Sequence, residues 1–221
     1  MIILLFGPPG SGKGTQARLI GDWLRIPSLS TGDMLRAEAR QETELGRKIR
    51  ETLAAGWYVS DDVVNLIVLQ QLERNPGQGL ILDGYPRTVQ QAVYLENALL
   101  ARGFPPPVVV HLEVPGEQIV ERLCSRLQCP SCRFIFNLLQ QAPRADSCCD
   151  TCGGQLVRRE DDKPEVVRQR LETYERLTGP VLNYYTGANY HRLNGNRNPD
   201  VVFAAIHASL ADQVARWRAD Q

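Results

Sequence analysis

The stretch Gly7-Pro8-Pro9-Gly10-Ser11-Gly12-Lys13-Gly14-Thr15 directly follows an apolar run, Met1 to Phe6. A short, β-prone apolar run with Gly at its end has the pattern of a strand buried on both faces of a parallel sheet. The loop therefore leaves the carboxyl end of a strand, and a helix is expected to start near Gly12. Glycines let successive backbone N–H groups turn into one concavity, where the dipole of the following helix also favours an anion. The pattern G-x-x-x-x-G-K-[ST] falls on Gly7, Gly12 and Lys13, with Gly14 where a hydroxyl residue is usual and Thr15 next. Lys13 then offers a point charge to the β- and γ-phosphates of a nucleotide. The missing hydroxyl normally holds Mg²⁺, so either Thr15 takes that duty or phosphates and water hold the ion.

Composition narrows the rest. With 221 residues the chain can bury one sizeable core carrying small inserts. Basic and acidic residues balance at 25 each, so no global field recruits nucleic acid or a membrane surface. Only Lys13, Lys48 and Lys163 are lysines; the other basic residues are arginines, whose planar fork grips phosphate with two hydrogen bonds. No apolar run is long enough to cross a bilayer, and Met1 to Phe6 lacks the basic flank of a signal peptide, so a cytoplasmic protein is expected.

Gly7-x-Pro9-Gly10-Ser11-Gly12-Lys13-Gly14-Thr15-Gln16 resembles the phosphate loop of adenylate kinases, in which Lys-Gly-Thr is the usual ending. The resemblance continues along nearly the whole chain. Helical spacing of Ala17, Ile20 and Leu24 predicts an amphipathic helix ended by Pro27, and Ser28-Leu29-Ser30 reads as a short strand. In Ser30-Thr31-Gly32-Asp33-Met34-Leu35-Arg36 the residue types alone make Thr31 a helix N-cap. The resemblance to the monophosphate-binding insert implies more: Thr31 near the adenine of AMP and Arg36 on its phosphate. A short helix is expected over Gly46 to Gly56. Gly56-Trp57-Tyr58-Val59-Ser60 is similar to the family's Gly-x-x-Val-[ST], which implies that backbone around Trp57, Tyr58 and Val59 meets the adenine edge; Trp57 read alone is equally a core residue of the insert. Ser60 with Asp61 and Asp62 reads as an N-cap opening a helix through Leu72.

Asn75-Pro76-Gly77 is a turn, and Leu80-Ile81-Leu82 the next buried strand. From its end leaves Asp83-Gly84-Tyr85-Pro86-Arg87-Thr88-Val89-Gln90-Gln91, a complete copy of the string D-G-[FY]-P-R-x-x-x-Q that marks adenylate kinases. It implies that Gly84 and Arg87 contact AMP, that Arg87 grips its phosphate and that Gln91 reads adenine. Asp83 stands where a carboxylate would hold Mg²⁺ through water. A strand is expected from Val108 to Val114. A helix over Glu117 to Leu127 would put Arg122 and Arg126 one turn apart on one face, a repulsive pair unless an anion lies between. By resemblance both contact the transferring phosphates. His111, His191 and His207 lack metal or charge-relay spacing and read as structural.

Cys129-Pro130-Ser131-Cys132 and Cys149-Asp150-Thr151-Cys152, sixteen residues apart, have the C-x₂-C-x₁₅₋₂₀-C-x₂-C spacing of a structural zinc site. Four thiolates close a tetrahedron and leave no open position, so Zn²⁺ here is structural. Cys148 competes as a ligand only through a poorer C-x-x-x-C knuckle, and Cys124 reads as a small core residue. The insert resembles the zinc-bearing lid of long-form adenylate kinases, although Phe136-Asn137 and Gln140-Gln141-Ala142-Pro143 replace the usual Tyr-His and Asn-Pro-Pro. After it, a helix is expected over Glu165 to Leu177. The pattern R-x-D-D then R-x-R implies phosphate contacts for Arg159 and Arg170 with Asp161 as their partner, while neighbouring Arg158 and Arg168 leave a shift of register open. A last strand at His191 to Leu193 precedes the Asn194-Gly195-Asn196 loop, which with Arg197 stands where the family holds the ATP adenine. The closing helix, Asp200 to Arg218, is expected to carry Val201, Ala205, Ala208 and Leu210 on or near an apolar stripe.

Alternating strands and helices predict a P-loop NTPase-like, doubly wound parallel α/β sheet with two inserts. The core is expected at 1–30, 61–126 and 164–221, the AMP-binding insert at 31–60 and the lid with the Cys₄ zinc site at 127–163. The implied reaction is Mg·ATP + AMP ⇌ 2 ADP in a monomeric enzyme. Lys13, Arg87, Arg122, Arg126, Arg159 and Arg170 are then the catalytic charges, and Gly10, Ser11, Gly12, Gly14 and Thr15 complete the ATP loop. Two rivals have distinct signatures. A kinase for another monophosphate, such as UMP or CMP, would share every phosphate residue and differ at Thr31 and Gln91. A nucleic-acid-binding zinc ribbon would need a basic stripe, whereas Arg133 and Arg144 are opposed by Asp146 and Asp150.

Overall fold

The computed structural model describes residues 1–75, 79–139 and 142–219; Pro76 and Gly77 of the expected turn, and Gln140-Gln141 of the lid, lie outside them. Strand β1 (Ile2–Phe6) leads to helix α1 (Lys13–Leu24), β2 (Ser28–Ser30), α2 (Thr31–Glu38), α3 (Glu44–Ala54) and α4 (Asp61–Arg74). There follow β3 (Leu80–Asp83), α5 (Val89–Leu100), β4 (Val108–Glu113), α6 (Gly116–Cys124) and a hairpin of β5 (Arg126–Gln128) with β6 (Ile135–Asn137). A 3₁₀ turn (Glu160–Asp162), α7 (Pro164–Thr173), a π-helical turn (Tyr174–Thr178), α8 (Gly179–Tyr184), β7 (Tyr190–Asn194) and α9 (Pro199–Ala219) complete the chain.

Five strands form one parallel sheet in the order β2-β3-β1-β4-β7. The apolar run of β1 is continuous because both its faces are covered. Ile2, Leu4 and Phe6 pack with Leu82, Tyr85, Leu95 and Leu99 on one side, while Ile3 and Leu5 pack with Ile20, Ile206 and Leu210 on the other. Crossovers from β1 pass to β2 on one side, and β4 lies on the other, so the crevice beyond β1 is the switch point where open α/β sheets bind ligands. Parallel register sets Leu5 beside Asp83, which brings the phosphate loop and the Asp83 loop to the same edge.

Several boundaries differ from expectation for local reasons. Helix α1 stops before Pro27, because Arg25 adopts φ 57° and its N–H turns back to the Gly21 carbonyl. The cap of α2 is Ser30, whose hydroxyl accepts from the Asp33 N–H; Thr31 instead donates to the Gly84 carbonyl at 2.9 Å. Ser60 makes no side-chain cap, and α4 runs to Arg74. Helix α3 starts at Glu44, where Thr43 caps it, β4 ends at Glu113, and α7 gives way to the π-helical turn at Tyr174.

Arg122 and Arg126 do not share a helix. The Arg122 carbonyl, which would accept the Arg126 N–H in a continuing helix, is taken by Asn137 Nδ2 at 3.1 Å and by the Ser125 hydroxyl at 3.3 Å. Arg126 therefore starts β5. In α9 the buried stripe is Val202, Ile206, Leu210 and Val214, so Leu210 lies on it, Val201 and Ala205 fall one residue short of it, Ala208 lies between its turns, and Val201 is 52% exposed. A one-residue slip turns a helix by about 100°.

That phase has a measurable consequence. Ile206, fully buried against the sheet, is expected to lose about 2–5 kcal/mol on Ile206→Ala in urea unfolding. Val201→Ala is expected to stay within about 0.5 kcal/mol of the parent.

Candidate active site

The site begins with the loop between β1 and α1. Gly7 has φ 145°, and a Cβ there would stand 2.5 Å from Ser11 Oγ and 2.6 Å from the Leu112 carbonyl, so the turn is too tight for any side chain. Gly12, at φ 93°, is the N-cap of α1 and turns the chain into the helix. Lys13 Nζ donates to the Gly7 and Pro8 carbonyls at 2.6 and 3.0 Å, which ties the ammonium to its own loop. Burial pushes the lysine down to about 8, with Asp83 opposing and Arg87, Arg170 and Arg126 assisting. Burial pushes Asp83 up in turn, although Lys13 and Arg87 pull it the other way.

A cavity of about 940 Å³ opens over this edge of the sheet. Ten basic residues line it, against Asp33, Asp83, Asp161 and Asp200, on a chain whose formal charge is zero. That imbalance is the chemical specification of a polyanion site. Arg122, at the end of α6, donates to Asn196 Oδ1 at 2.8 Å and to the Gly195 carbonyl at 3.3 Å, so it faces the loop before α9. Arg126 donates to Asp162 through Nε at 2.8 Å and also through Nη2. Arg159 donates to Gln128 Oε1 at 2.6 Å and lies 3.6 Å from Asp33. Arg170 meets Asp161 at 3.0 Å and Asp162 at 3.3 Å. Arg36 pairs with Asp33 and reaches Asp161 at 3.7 Å. Arg87 donates through Nε to the Gly84 carbonyl at 2.7 Å.

The cations are crowded enough to destabilise one another. Burial lowers the affinity of Arg159 for its proton, and the Arg126 and Arg36 charges add to the effect; Arg170 is lowered by burial and by Arg126, with Asp161 compensating. Asp161 shows the reverse balance: burial opposes its charge, yet Arg170, Arg36, Arg126 and Arg159 hold the carboxyl below the ordinary range.

Of the residues singled out from sequence, Gly10 to Thr15, Arg36, Trp57, Tyr58, Asp83, Gly84, Arg87, Arg122, Arg126, Arg159, Arg170 and Arg197 line the cavity. Thr31, Val59 and Gln91 are buried behind its wall. Gln91 donates to Asp61 Oδ1 at 2.7 Å and accepts from the Arg87 N–H at 2.7 Å. Arg158 and Arg168 are exposed and absent from the lining, whereas Arg159 and Arg170 are part of it. Trp57 is not core: it is 45% exposed with the Arg176 guanidinium 5.4 Å from its ring centre. Two carboxylates escaped the sequence reading. Asp61 ties Thr88 and Gln91 to the start of α4, and Asp162 fixes Arg126; neither role is visible from an acidic residue beside another.

The adenylate kinase family model matches residues 5–190 of the chain. The chain belongs to the adenylate kinase family. It is 45% identical over 213 residues to the adenylate kinase of Methanosarcina mazei, covering 96% of this chain and 99% of that protein. It is 42% identical over 215 residues to that of a Thermoanaerobacter species (96% and 99%) and 47% identical over 187 residues to that of Kosmotoga olearia (84% and 87%). The parallel sheet with its phosphate loop beyond β1 is thus an adenylate kinase fold.

The cysteine insert forms a separate cluster. The Sγ atoms of Cys129, Cys132, Cys149 and Cys152 all lie within 4.8 Å of one another. Tetrahedral zinc with Zn–S bonds of about 2.3 Å would place its sulfurs nearly 4 Å apart, so the set fits that ion. Amides of Cys132 and Ser131 donate to Cys129 and push its thiol down to about 6, while burial and the neighbouring thiols push Cys132 up. Cys148 stands outside the group and donates to the Gly153 carbonyl at 3.5 Å, while Cys124 is half-buried on α6. Among the described residues, Phe136 and Leu156 are the buried apolar side chains around the sulfurs, with Leu127 and Phe134 packed on them. So small an apolar cluster needs a staple.

With Lys13 at about 8, roughly half of the ligand-free protein carries a neutral lysine at pH 8. A bound triphosphate favours the charged form and raises that value, so ATP binding at pH 8 is expected to take up about half a proton. The uptake should fade by pH 6.5, where the lysine is already charged. Calorimetry in two buffers of different ionisation heat measures it; no uptake at pH 8, or the same uptake in Lys13→Met, would contradict the assignment.

Proposed function

We propose that the chain catalyses Mg·ATP + AMP ⇌ 2 ADP, with charge stabilisation supplied by Lys13, Arg87, Arg122, Arg126, Arg159 and Arg170. The observation that carries this reading is the excess of basic residues converging on one cavity at the switch point of the sheet. ATP sits on the backbone of Gly10 to Thr15 and on Arg122, Arg126 and Arg197. AMP sits between Thr31, Arg36, the backbone of residues 57–59, Gly84, Arg87, Gln91, Arg159 and Arg170. Gln91 keeps one amide hydrogen and one oxygen lone pair beyond its bonds to Asp61 and Arg87, enough to pair with an adenine edge. The corresponding division is a core of 1–30, 61–126 and 164–221, an AMP insert of 31–60 and a lid of 127–163.

Phosphoryl transfer asks for alignment and charge neutralisation more than covalent help. A phosphate oxygen of AMP is already an anionic nucleophile, so no general base is needed. Arg87 and Arg36 orient that acceptor, and Lys13 neutralises the β- and γ-phosphoryl oxygens from the loop side. Arg159 comes from the lid and Arg126 from the strand that leads into it, so the full field assembles only when lid and core are together, which excludes water from the transfer. Mg²⁺ bound with ATP spreads the charge of the β- and γ-phosphates. The donor set suits it: Asp83 is a hard oxygen ligand, a Cβ on Gly14 would lie 3.3 Å from Asp83 Oδ2, and Thr15 adds a hydroxyl at the cavity wall. Gly14 thereby leaves the space that a side chain would take beside the carboxylate.

Zn²⁺ closes the lid as a structural ion on Cys129, Cys132, Cys149 and Cys152. All six cysteines are free thiols and four of them converge, which supports a reducing, cytoplasmic setting. Among the described residues no helix is long and apolar enough to cross a membrane. A monomer binding ATP, AMP and ADP is sufficient, because one chain lines the whole cavity.

Initial rates of diphosphate formation from Mg·ATP with AMP, CMP, UMP and GMP in parallel test the acceptor. AMP is expected to dominate, and Arg87→Ala or Arg126→Ala to lower the rate by about 10³-fold or more. Preference for another monophosphate would remove the roles of Thr31 and Gln91 while sparing the phosphate residues. Metal analysis is expected to find one zinc per chain, with Cys149→Ser losing both the metal and several degrees of melting temperature. Much less than one equivalent, or a coloured iron form, would displace zinc.

A further inference from the structure

Tyr58 lies in the insert segment between α3 and α4, where backbone contact with AMP was the only role assigned to it. Its side chain does something separate. The Arg87 guanidinium carbon stands 4.9 Å from the centre of the Tyr58 ring. The Tyr58 hydroxyl hydrogen-bonds Thr178 Oγ1 at 3.0 Å, and Thr178 Oγ1 in turn donates to the Arg87 carbonyl at 3.0 Å. Since Thr178 spends its hydrogen on that carbonyl, Tyr58 is the donor in the first bond. One side chain thus holds Arg87 at both ends, with the ring under its guanidinium and the hydroxyl, through Thr178, on its backbone.

Three segments far apart in sequence meet at this point: the insert at Tyr58, the loop after β3 at Arg87, and the π-helical turn at Thr178. Thr178 is 2% exposed, so its hydroxyl bonds are shielded from competing water. The guanidinium is further restrained by its Nε bond to the Gly84 carbonyl. An unpaired arginine samples many rotamers, and ordering one such side chain costs about 2 kcal/mol of entropy. A platform that fixes it beforehand spares the substrate that cost. Arg87 and Tyr58 both line the cavity.

We propose that Tyr58 is a positioning residue for Arg87: it holds the guanidinium in the orientation that receives the acceptor phosphate. This rests on the assignment of Arg87 to that phosphate. Tyr58 acts on the monophosphate side only, because neither it nor Thr178 touches the loop from Gly10 to Thr15 in any of these contacts.

The experiment is a steady-state comparison of Tyr58→Phe, Tyr58→Leu, Thr178→Val and Arg87→Ala, with KM for AMP and for ATP measured separately and melting temperatures alongside. Tyr58→Leu, which removes both ring and hydroxyl, is expected to raise KM for AMP about tenfold and leave KM for ATP within twofold. Tyr58→Phe and Thr178→Val, which keep the ring, are expected to give about threefold. In an Arg87→Ala background Tyr58→Leu is expected to add nothing, since the residue it positions is gone. If Arg87→Ala raises KM for AMP but Tyr58→Leu does not, or if Tyr58→Leu raises both KM values together with a lowered melting temperature, the positioning role is overturned and the role of Arg87 stands. An Arg87→Ala enzyme with unchanged KM for AMP overturns both. Should Tyr58→Leu fail to fold, the Phe and Val variants decide through the same KM split and the same double-mutant comparison.

Discussion

Repulsion among guanidinium groups is the constraint around which this molecule is arranged. Arg36, Arg126, Arg159 and Arg170 crowd one wall of a cavity whose lining is strongly basic, and they are restrained there by three carboxylates, Asp33, Asp161 and Asp162. Isolated buried cations would be prohibitive, and buried pairs only approach break-even. The arrangement is stable because each carboxylate serves more than one arginine and because bonds to neutral oxygens, such as Gln128 Oε1 for Arg159 and the Gly84 carbonyl for Arg87, take up remaining N–H groups. What the set still lacks in negative charge is the property a nucleotide polyphosphate supplies.

The scaffold delivers those charges from different places for a geometrical reason. Parallel strands send all their carboxyl-end loops to one edge, so the β1 loop brings Lys13 and the β3 loop brings Asp83 and Arg87 without any long-range search. The remaining arginines come from outside the sheet. Helix α2 carries Arg36 and the segment around β5 carries Arg126. Arg159 lies just before the 3₁₀ turn, and α7 carries Arg170. The hairpin of β5 and β6 has too little apolar surface to hold its shape unaided. Four convergent thiols lie at its far end, beyond the strand that presents Arg126.

Sequence alone made the loop, the sheet and the cysteine set readable, because each rests on local chemistry. A glycine at a tight turn, an apolar run buried on both faces, and thiols at knuckle spacing are signals complete within a few residues. The failures lie where partners are distant. The end of α6 depends on Asn137, fifteen residues on, taking the Arg122 carbonyl, and nothing near Arg126 announces this. Asp162 looks no different from Asp161 in the string Arg158-Arg159-Glu160-Asp161-Asp162, yet it is Asp162 that fixes Arg126. The phase of α9 slipped because Val201 and Val202 are adjacent and identical, and only the sheet decides which one faces inward. Thr31 reads as a cap from its residue type, but Ser30 beside it takes that duty and leaves the Thr31 hydroxyl to the Gly84 carbonyl.

The ion pairs that cross between insert and lid give the cavity a further property. Arg36 with Asp161 and Arg159 with Asp33 span the two regions at 3.7 and 3.6 Å, longer than the 3.0 Å at which Arg170 meets Asp161. At that separation neither pair is a direct hydrogen bond, so each holds its guanidinium by Coulomb attraction alone. A phosphate arriving at Arg36 or Arg159, as proposed above, would exchange one anionic partner for another, and the guanidinium would never be left bare. The exchange costs the protein little, while the phosphate gains donors that are already gathered and oriented. Weak cross-links of this kind suit a site that must open after each turnover, since strong ones would trade release for affinity.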